Sequence, residues 1–308
     1  MEIRGDNMEK PIQVTYPKNS TGMEIIKKRI PRTASIKKIL IHVSILLGVL
    51  IMLYPVLWMI ISSFKPTETI LTDNSLWPKN LTLSNYTNGW KGTSGTTFTT
   101  FYLNSFIMVT LAVIGNVISC SLTAYAFARL HFKFKKTLFV LMMMTMMIPM
   151  HVLIVPQYII FNKLEWINTI LPIVVPKFFA VEGFFIFLTV QFIRALPREL
   201  DEAATIDGCG PISIYTKIIL PLTLPAIVTT TIFTFIWTWN DFFSQLLYLS
   251  SVEKYTVTLA LRMFTDAGGE AALGSLFAMS VISIIPVFLV FLFFQRYIVE
   301  GIATSGIK

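Results

Sequence analysis

The stretch Leu196-Pro-Arg-Glu-Leu-Asp-Glu-Ala-Ala-Thr-Ile-Asp-Gly208, continued by Cys-Gly-Pro211 and Ile-Ser-Ile-Tyr-Thr-Lys-Ile-Ile-Leu-Pro221, interrupts two long apolar runs, 169–193 and 224–249. Pro197 suits the first turn of a helix. Glu199, Asp201 and Glu202 follow where the helix dipole favours anions. Leu196, Leu200, Ala203 and Ala204 recur at helical spacing and define an apolar face. Gly208 and Gly210 permit a sharp reversal, and Pro211 can open a second helix. The segment therefore reads as a short helix, a tight turn and a helix returning at Pro221. The Ala203-Ala204 pair leaves a smooth surface for close approach by another body. On these grounds alone the helix lies along a membrane or docks into a groove.

The flanking runs are two of six. The chain has 308 residues, 54% hydrophobic and only 14% charged, with a mean hydropathy of +0.68; soluble domains carry about 25% charged residues. A bilayer core about 30 Å thick is crossed by about 20 apolar residues, and helices satisfy their backbone within the segment. The expected spans are 39–64, 103–128, 137–161, 169–193, 224–249 and 273–294. The expected fold is thus an all-α polytopic membrane protein with six transmembrane helices and a cytoplasmic hairpin between spans four and five. Its parts are a basic tail over 1–38, a membrane domain over 39–298 and a short tail over 299–308.

Basic residues set the orientation. Lys27, Lys28, Arg29, Arg32, Lys37 and Lys38 precede the first run, Arg129, Lys133, Lys135 and Lys136 follow the second, and Arg194, Arg198 and Lys217 follow the fourth. The alternate loops are poorer in Lys and Arg, so the positive-inside rule places both termini in the cytoplasm. The net charge of +8 is spent on orientation, which argues against a nucleic-acid partner. The tail has too long a basic lead and no small-residue cleavage site for a signal peptide, and its Pro11, Pro17, Asn19, Ser20 and Gly22 suggest a flexible segment. Cys120 and Cys209 fall in a span and a cytoplasmic loop, without metal-ligand spacing. Trp77, Tyr86 and Trp90, in the loop over 65–101, read as an interfacial belt or as contacts for an external partner.

Beside this reading stands a resemblance. Glu202-Ala203-Ala204, then Gly208, then Ile218-x-Leu220-Pro221 resembles the EAA motif of ABC importer permeases. Trp239-Asn240-Asp241-Phe242 is similar to a pattern in sugar permeases of the maltose type. So is the C-terminal stretch from Phe294 to Gly301. The resemblance covers about residues 36 to 308. It implies that Glu202, Ala203, Ala204, Asp207, Gly208, Ile218, Leu220 and Pro221 form the coupling helix and its return, seated in a cleft of an ATPase subunit. It further implies a second permease subunit, two ATPase subunits that bind ATP and magnesium, an external solute-binding protein and a carbohydrate, such as an oligosaccharide, as solute. The location implied is a bacterial cell membrane. No phosphate-binding loop of the Gly-x-x-x-x-Gly-Lys-Ser/Thr type occurs in the chain, which fits a subunit that holds no cofactor, is no enzyme and borrows its energy.

Candidate solute-path residues are Glu182, Trp237, Trp239, Asn240 and Asp241. The aromatic and polar cluster in span five either lines a pore or packs and anchors that helix. Glu182 would sit about 20 Å along a continuous helix from Thr169, near mid-membrane, as a solute or gate residue or as a structural hydrogen-bonding group. Lys177 is expected to snorkel to the outer surface. Pro149 and Pro156 invite kinks in span three, either for transport or for static packing. His42, His131 and His151 lack acidic companions, so no catalytic constellation is visible. Two other transport readings compete: a proton-coupled carrier using Lys177 and Glu182 as a relay, and an importer of a non-sugar solute or a sugar phosphate.

Overall fold

The computed structural model describes residues 12–18, 22–28, 32–73, 75, 77–92 and 94–305. The chain divides into two compact units, Met1–Met59 and Ile60–Lys308. In the first, β1 (Ile12–Lys18) and β2 (Gly22–Lys28) pair antiparallel, with Ile12 opposite Lys28 and Val14 opposite Ile26. The tail thus carries a two-stranded ribbon where the sequence suggested none; alternation of Ile12, Val14 and Tyr16 suits a strand. Helix α1 (Arg32–Ser62) follows. Most of the apolar side chains described along it are exposed, Ile51 at 72% and Met52 at 79%, as a lipid-facing helix requires.

All further regular structure among the described residues is helical. After a long connection that includes a 3-10 turn over Thr67–Thr69 come α2 (Ser84–Lys91) and the long α3 (Phe98–Arg129). The third apolar run is split into α4 (Lys135–Thr145) and α5 (Met150–Lys163). The two halves are bent by 100°. Pro149 supplies no backbone donor and holds its own ψ at 130°, outside the helical region, so the break falls there and not at Pro156 inside α5. The fourth run is also not one helix. It consists of α6 (Leu171–Val174), a 3-10 turn over Val175–Phe179, and α7 (Gly183–Ala195). Ala180, between the turn and α7, is left-handed at φ 54°.

The hairpin that interrupts the apolar runs is α8 (Glu199–Ile206), α9 (Pro211–Ile214), a π-helical turn over Tyr215–Ile219 and α10 (Leu220–Leu222). It leads into α11 (Leu224–Asn240) with a 77° bend. The expected fifth span ends early at Asn240. Asp241 is extended, and α12 (Phe243–Tyr248) restarts beyond it. Buried Gln245 spans this gap: its amide donates to Thr238 O at 3.1 Å, and its carbonyl oxygen accepts from the hydroxyls of Thr256 and Thr258. Last come α13 (Val257–Gly268) and α14 (Leu273–Ser305).

Four segments are long and apolar enough to cross a membrane: Lys38–Ser62, Phe98–Arg129, Leu171–Ala195 and Leu273–Arg296. The two bent pairs raise the possible number to six. The chain is therefore an all-α, multi-span membrane protein, apart from the small ribbon.

Helix α3 organises the larger unit. At one end, Phe98, Phe101 and Val109 pack with Trp239 of α11, Ala260 and Phe264 of α13 and Met279 of α14. At the other, Ala124, Tyr125 and Ala128 pack with Phe185, Val190 and Ile193 of α7 and with Ala204, Ile214, Tyr215 and Ile219 of the hairpin. Gly115 permits a close approach in between. A Cβ there would lie 2.5 Å from the Phe178 ring, which the 3-10 turn presses against α3.

Candidate functional site

The end of α8 is closed by its own backbone. Gly208 N–H donates to Thr205 O at 3.0 Å, and Cys209 N–H to Ala204 O at 2.9 Å. These two bonds around a left-handed residue define a Schellman motif. Gly208 has φ 79° with nothing within 4 Å of a built Cβ, so backbone conformation, not crowding, demands glycine there. Gly210, expected to share in the reversal, is extended at φ −77° and only precedes α9.

The helix is two-faced, though not as the spacing suggested. Ala204 is buried at 5% exposure against the α3–α7 core. Ala203 is exposed, as are Glu202, Thr205, Ile206 and Asp207. Ile206, at 87%, is among the most exposed side chains described. Asp201, Glu202, Thr205 and Ile206 border an open concavity of about 380 Å³. Of the return segment, Ile218 and Leu220 are half-buried and Pro221 is exposed, whereas Ile219 is fully buried. Leu220 N–H bonds Tyr215 O, five residues back. Pro221 has no N–H with which to reach Lys217 O, so an ordinary α-helical ladder cannot continue there.

What fastens the hairpin went unrecognised in the sequence. Arg129, read there only as an orienting charge, makes an ion pair from Nε to Asp201 Oδ2 at 2.9 Å, with the Arg129 side chain only 6% exposed. Its Nη2 donates to Leu196 O at 2.9 Å. Tyr125 Oη donates to Pro211 O at 3.0 Å. Ser121 and Tyr215 hydroxyls lie 2.7 Å apart. Ser121, Tyr125 and Arg129 are spaced by four and so share one face of α3. That spacing was visible; the identity of their partners, 67 to 94 positions away, was not.

The solute-path candidates are placed in two groups. Glu182 is not inside a continuous helix: it is the residue before α7, at the break in the fourth run. Lys177 does not snorkel away but makes an ion pair with Glu182. Ser119 of α3 donates to Lys177 O at 2.7 Å, holding the turn. Trp237 is 48% exposed and packs beside Phe184 and Phe185 at the start of α7, which places it near Glu182. Trp239 faces the other way. It is 3% exposed, stacks on Phe235, meets Tyr102 and Phe106 edge-on, and donates Nε1–H to Ser283 O at 3.1 Å. With exposed Asn240 it borders a cleft of about 290 Å³ that also includes Thr258, Ser280 and Ser283. Asn240 donates back to Ile236 O, and Asp241 Oδ1 accepts from Ser244 N–H at 3.0 Å, starting α12. Among the described residues no group of three or more His, Cys, Asp or Glu could hold a metal.

Known proteins resemble this chain in sequence and fold. Residues 115–304 match the family described as binding-protein-dependent transport system inner membrane component. The chain is 33% identical over 277 residues to the trehalose/maltose transport system permease protein MalG of Thermococcus litoralis, covering 90% of this chain and 99% of that one. It is 30% identical over 281 residues to the arabinooligosaccharides transport system permease protein AraQ of Halalkalibacterium halodurans, covering 90% and 99%. A crystal structure of a bacterial ABC transporter involved in the import of the acidic polysaccharide alginate shares the fold. It superposes with a TM-score of 0.78 at 22% identity, over 88% of this chain and 100% of that one. A glycine-closed helix between apolar runs and a family match over more than half the chain agree: the protein belongs to the inner membrane components of binding-protein-dependent transport systems, as the permease subunit of an ABC importer.

Proposed function

We propose that this permease moves a carbohydrate, an oligosaccharide in particular, across a bacterial cell membrane. The solute arrives from an external binding protein, and the energy comes from ATP hydrolysed by two separate ATPase subunits. A second, different permease completes the path. The six-span topology, with both termini and the α8–α9 hairpin in the cytoplasm, belongs to this reading, as do the tails over 1–38 and 299–308 and the membrane domain between them.

One observation carries the docking part. Helix α8 is anchored inward by Ala204 and Asp201 while Glu202, Ala203, Thr205 and Ile206 stay exposed on a fold locked by Gly208. An exposed isoleucine on a rigid, half-polar helix is what a groove in another protein would cover. The residues assigned to ATPase coupling are Glu202, Ala203, Ala204, Asp207, Gly208, Ile218, Leu220 and Pro221. In the solute path, Glu182 and Trp237 belong to one wall, and Trp239, Asn240 and Asp241 to the cleft beside α13 and α14. Support for a carbohydrate comes from the relatives, whose names specify trehalose/maltose and arabinooligosaccharides.

The test is purification of the permease with its neighbours, followed by identification of the solute held by the binding protein. Co-purification of an ATPase and uptake that requires ATP are expected. Gly208→Pro should leave ATP hydrolysis uncoupled from uptake. Uptake abolished by an uncoupler but indifferent to ATP would replace this reading with the proton-coupled carrier.

A further inference from the structure

We infer that Lys135, Arg194 and Arg198 form a seat for the phosphate of an acidic phospholipid in the cytoplasmic leaflet. The inference rests on the cytoplasmic placement of the hairpin proposed above. In the sequence these cations signal only orientation; the fold brings them together from three elements. Lys135 opens α4, Arg194 lies in the last turn of α7, and Arg198 stands just before α8. The charges of Arg194 and Arg198 both act on Lys135, and like charges so placed repel. No acid relieves them. Asp201 is taken by Arg129, the first turn of α4 carries no acid, and among the described residues none of the three cations makes an ion pair.

The cations are nevertheless held in place. Lys135 Nζ donates to Leu130 O at 2.7 Å, which uses one of its three hydrogens. The Arg194 guanidinium lies over the Phe139 ring, 5.3 Å from its centroid. That contact uses a face of the guanidinium and leaves its N–H edge for an anion. Arg129 bonds Leu196 O, which fixes the segment between Arg194 and Arg198. A phosphate would accept charge-assisted hydrogen bonds from all three side chains. The surroundings favour a lipid as its source. Lys135 and Arg194 stand at the ends of apolar segments that are candidates to cross the membrane, the depth at which headgroups lie. Phe132, Phe134 and Leu138 beside them are exposed, Phe134 at 76%. Aromatic and apolar side chains next to cations suit the boundary between acyl chains and headgroups.

The test uses the assembled importer with its ATPase subunits, held on an affinity resin in detergent. It is equilibrated with equal amounts of radiolabelled dioleoyl phosphatidylglycerol and dioleoyl phosphatidylcholine, washed, and the retained lipid extracted and counted. A preference of about tenfold for phosphatidylglycerol is expected, unchanged by excess inorganic phosphate in the wash. The triple variant Lys135→Gln, Arg194→Gln and Arg198→Gln should bring the ratio to within about twofold of unity. A control with the same charge loss, Lys79→Gln, Lys91→Gln and Lys163→Gln at exposed positions on the expected outer loops, should keep the preference. Where the triple variant fails to assemble, exposed Arg198→Gln carries the comparison, with a fall of about twofold expected. Equal retention of the two lipids by the unaltered importer overturns the inference. So does displacement of the lipid by inorganic phosphate, or a control that falls as far as the triple variant. A triple variant that keeps its lipid preference but sheds the ATPase on washing assigns the patch to that subunit and also overturns it. The placement is tested separately, with a membrane-impermeant maleimide on Lys133→Cys in a Cys209→Ser background. Labelling in inside-out vesicles alone supports the cytoplasmic reading, so a negative lipid result then falls on the inference alone. Labelling from the outer side overturns that reading and the leaflet assignment with it.

Discussion

Lys177 and Glu182 form an ion pair across the break in the fourth apolar run, with left-handed Ala180 between them. The pair closes a turn that Ser119 and Gly115 of α3 make possible. Its side chains are 21% and 25% exposed, so each charge depends on the other for much of its solvation.

Replacing one partner should therefore cost more than replacing both. Glu182→Gln or Lys177→Met is expected to lower stability by about 1–3 kcal/mol, and the double replacement by less than the sum. Thermal unfolding of the detergent-purified complex measures this. Strict additivity would show that the two charges act independently.

Gly208→Ala should destabilise the hairpin by about 1–2 kcal/mol, the usual cost of a left-handed alanine, whereas Gly208→Asn should cost less. Because no neighbour crowds a Cβ there, the ranking depends on backbone alone. The fraction of ATPase retained on purification should follow the same order.

Adjacent alanines separate packing from docking. Ala204→Leu forces extra atoms into the α3–α7 core and should cost about 1–3 kcal/mol. Ala203→Leu lies on an exposed face and should change stability by less than about 0.5 kcal/mol while weakening association with the ATPase. Melting temperature and pull-down yield, measured on both variants, give the two answers. Equal effects on both would contradict the two-faced helix.

The span-five tryptophans divide in the same way. Trp239→Ala removes a fully packed indole and its hydrogen bond, a loss of about 3–5 kcal/mol. Trp237→Ala, half exposed beside Phe184 and Phe185, should leave stability nearly intact and lower the rate of uptake. Uptake in proteoliposomes at equal protein content, alongside a melting curve, distinguishes them.

The sequence made the apolar runs legible because lipid thickness imposes a length that composition alone reveals. The hairpin was legible because Gly208 carries its own conformational demand. The breaks were harder. Pro149 announced a kink but not its 100°, which depends on what the two halves pack against. Nothing local marked Ala180 as left-handed; the turn is held there by Gly115, Ser119 and the Lys177–Glu182 pair, contacts made mostly across the fold. Arg129 carried a second meaning for the same reason. Read as a charge it suggested only an orientation, whereas the folded hairpin brings the Asp201 carboxylate and the Leu196 carbonyl to its guanidinium.

Among the apolar runs of the larger unit, the second is spanned by one helix, α3, of 32 residues without proline. Deleting a single residue between Ser121 and Arg129 would turn everything beyond it by about 100°. The guanidinium would then swing off Asp201 while Ser119 kept its grip on Lys177. The helix works as a ruler with a keyway cut along it, so conservative side-chain exchanges are tolerable there, but its count of residues is not free to drift.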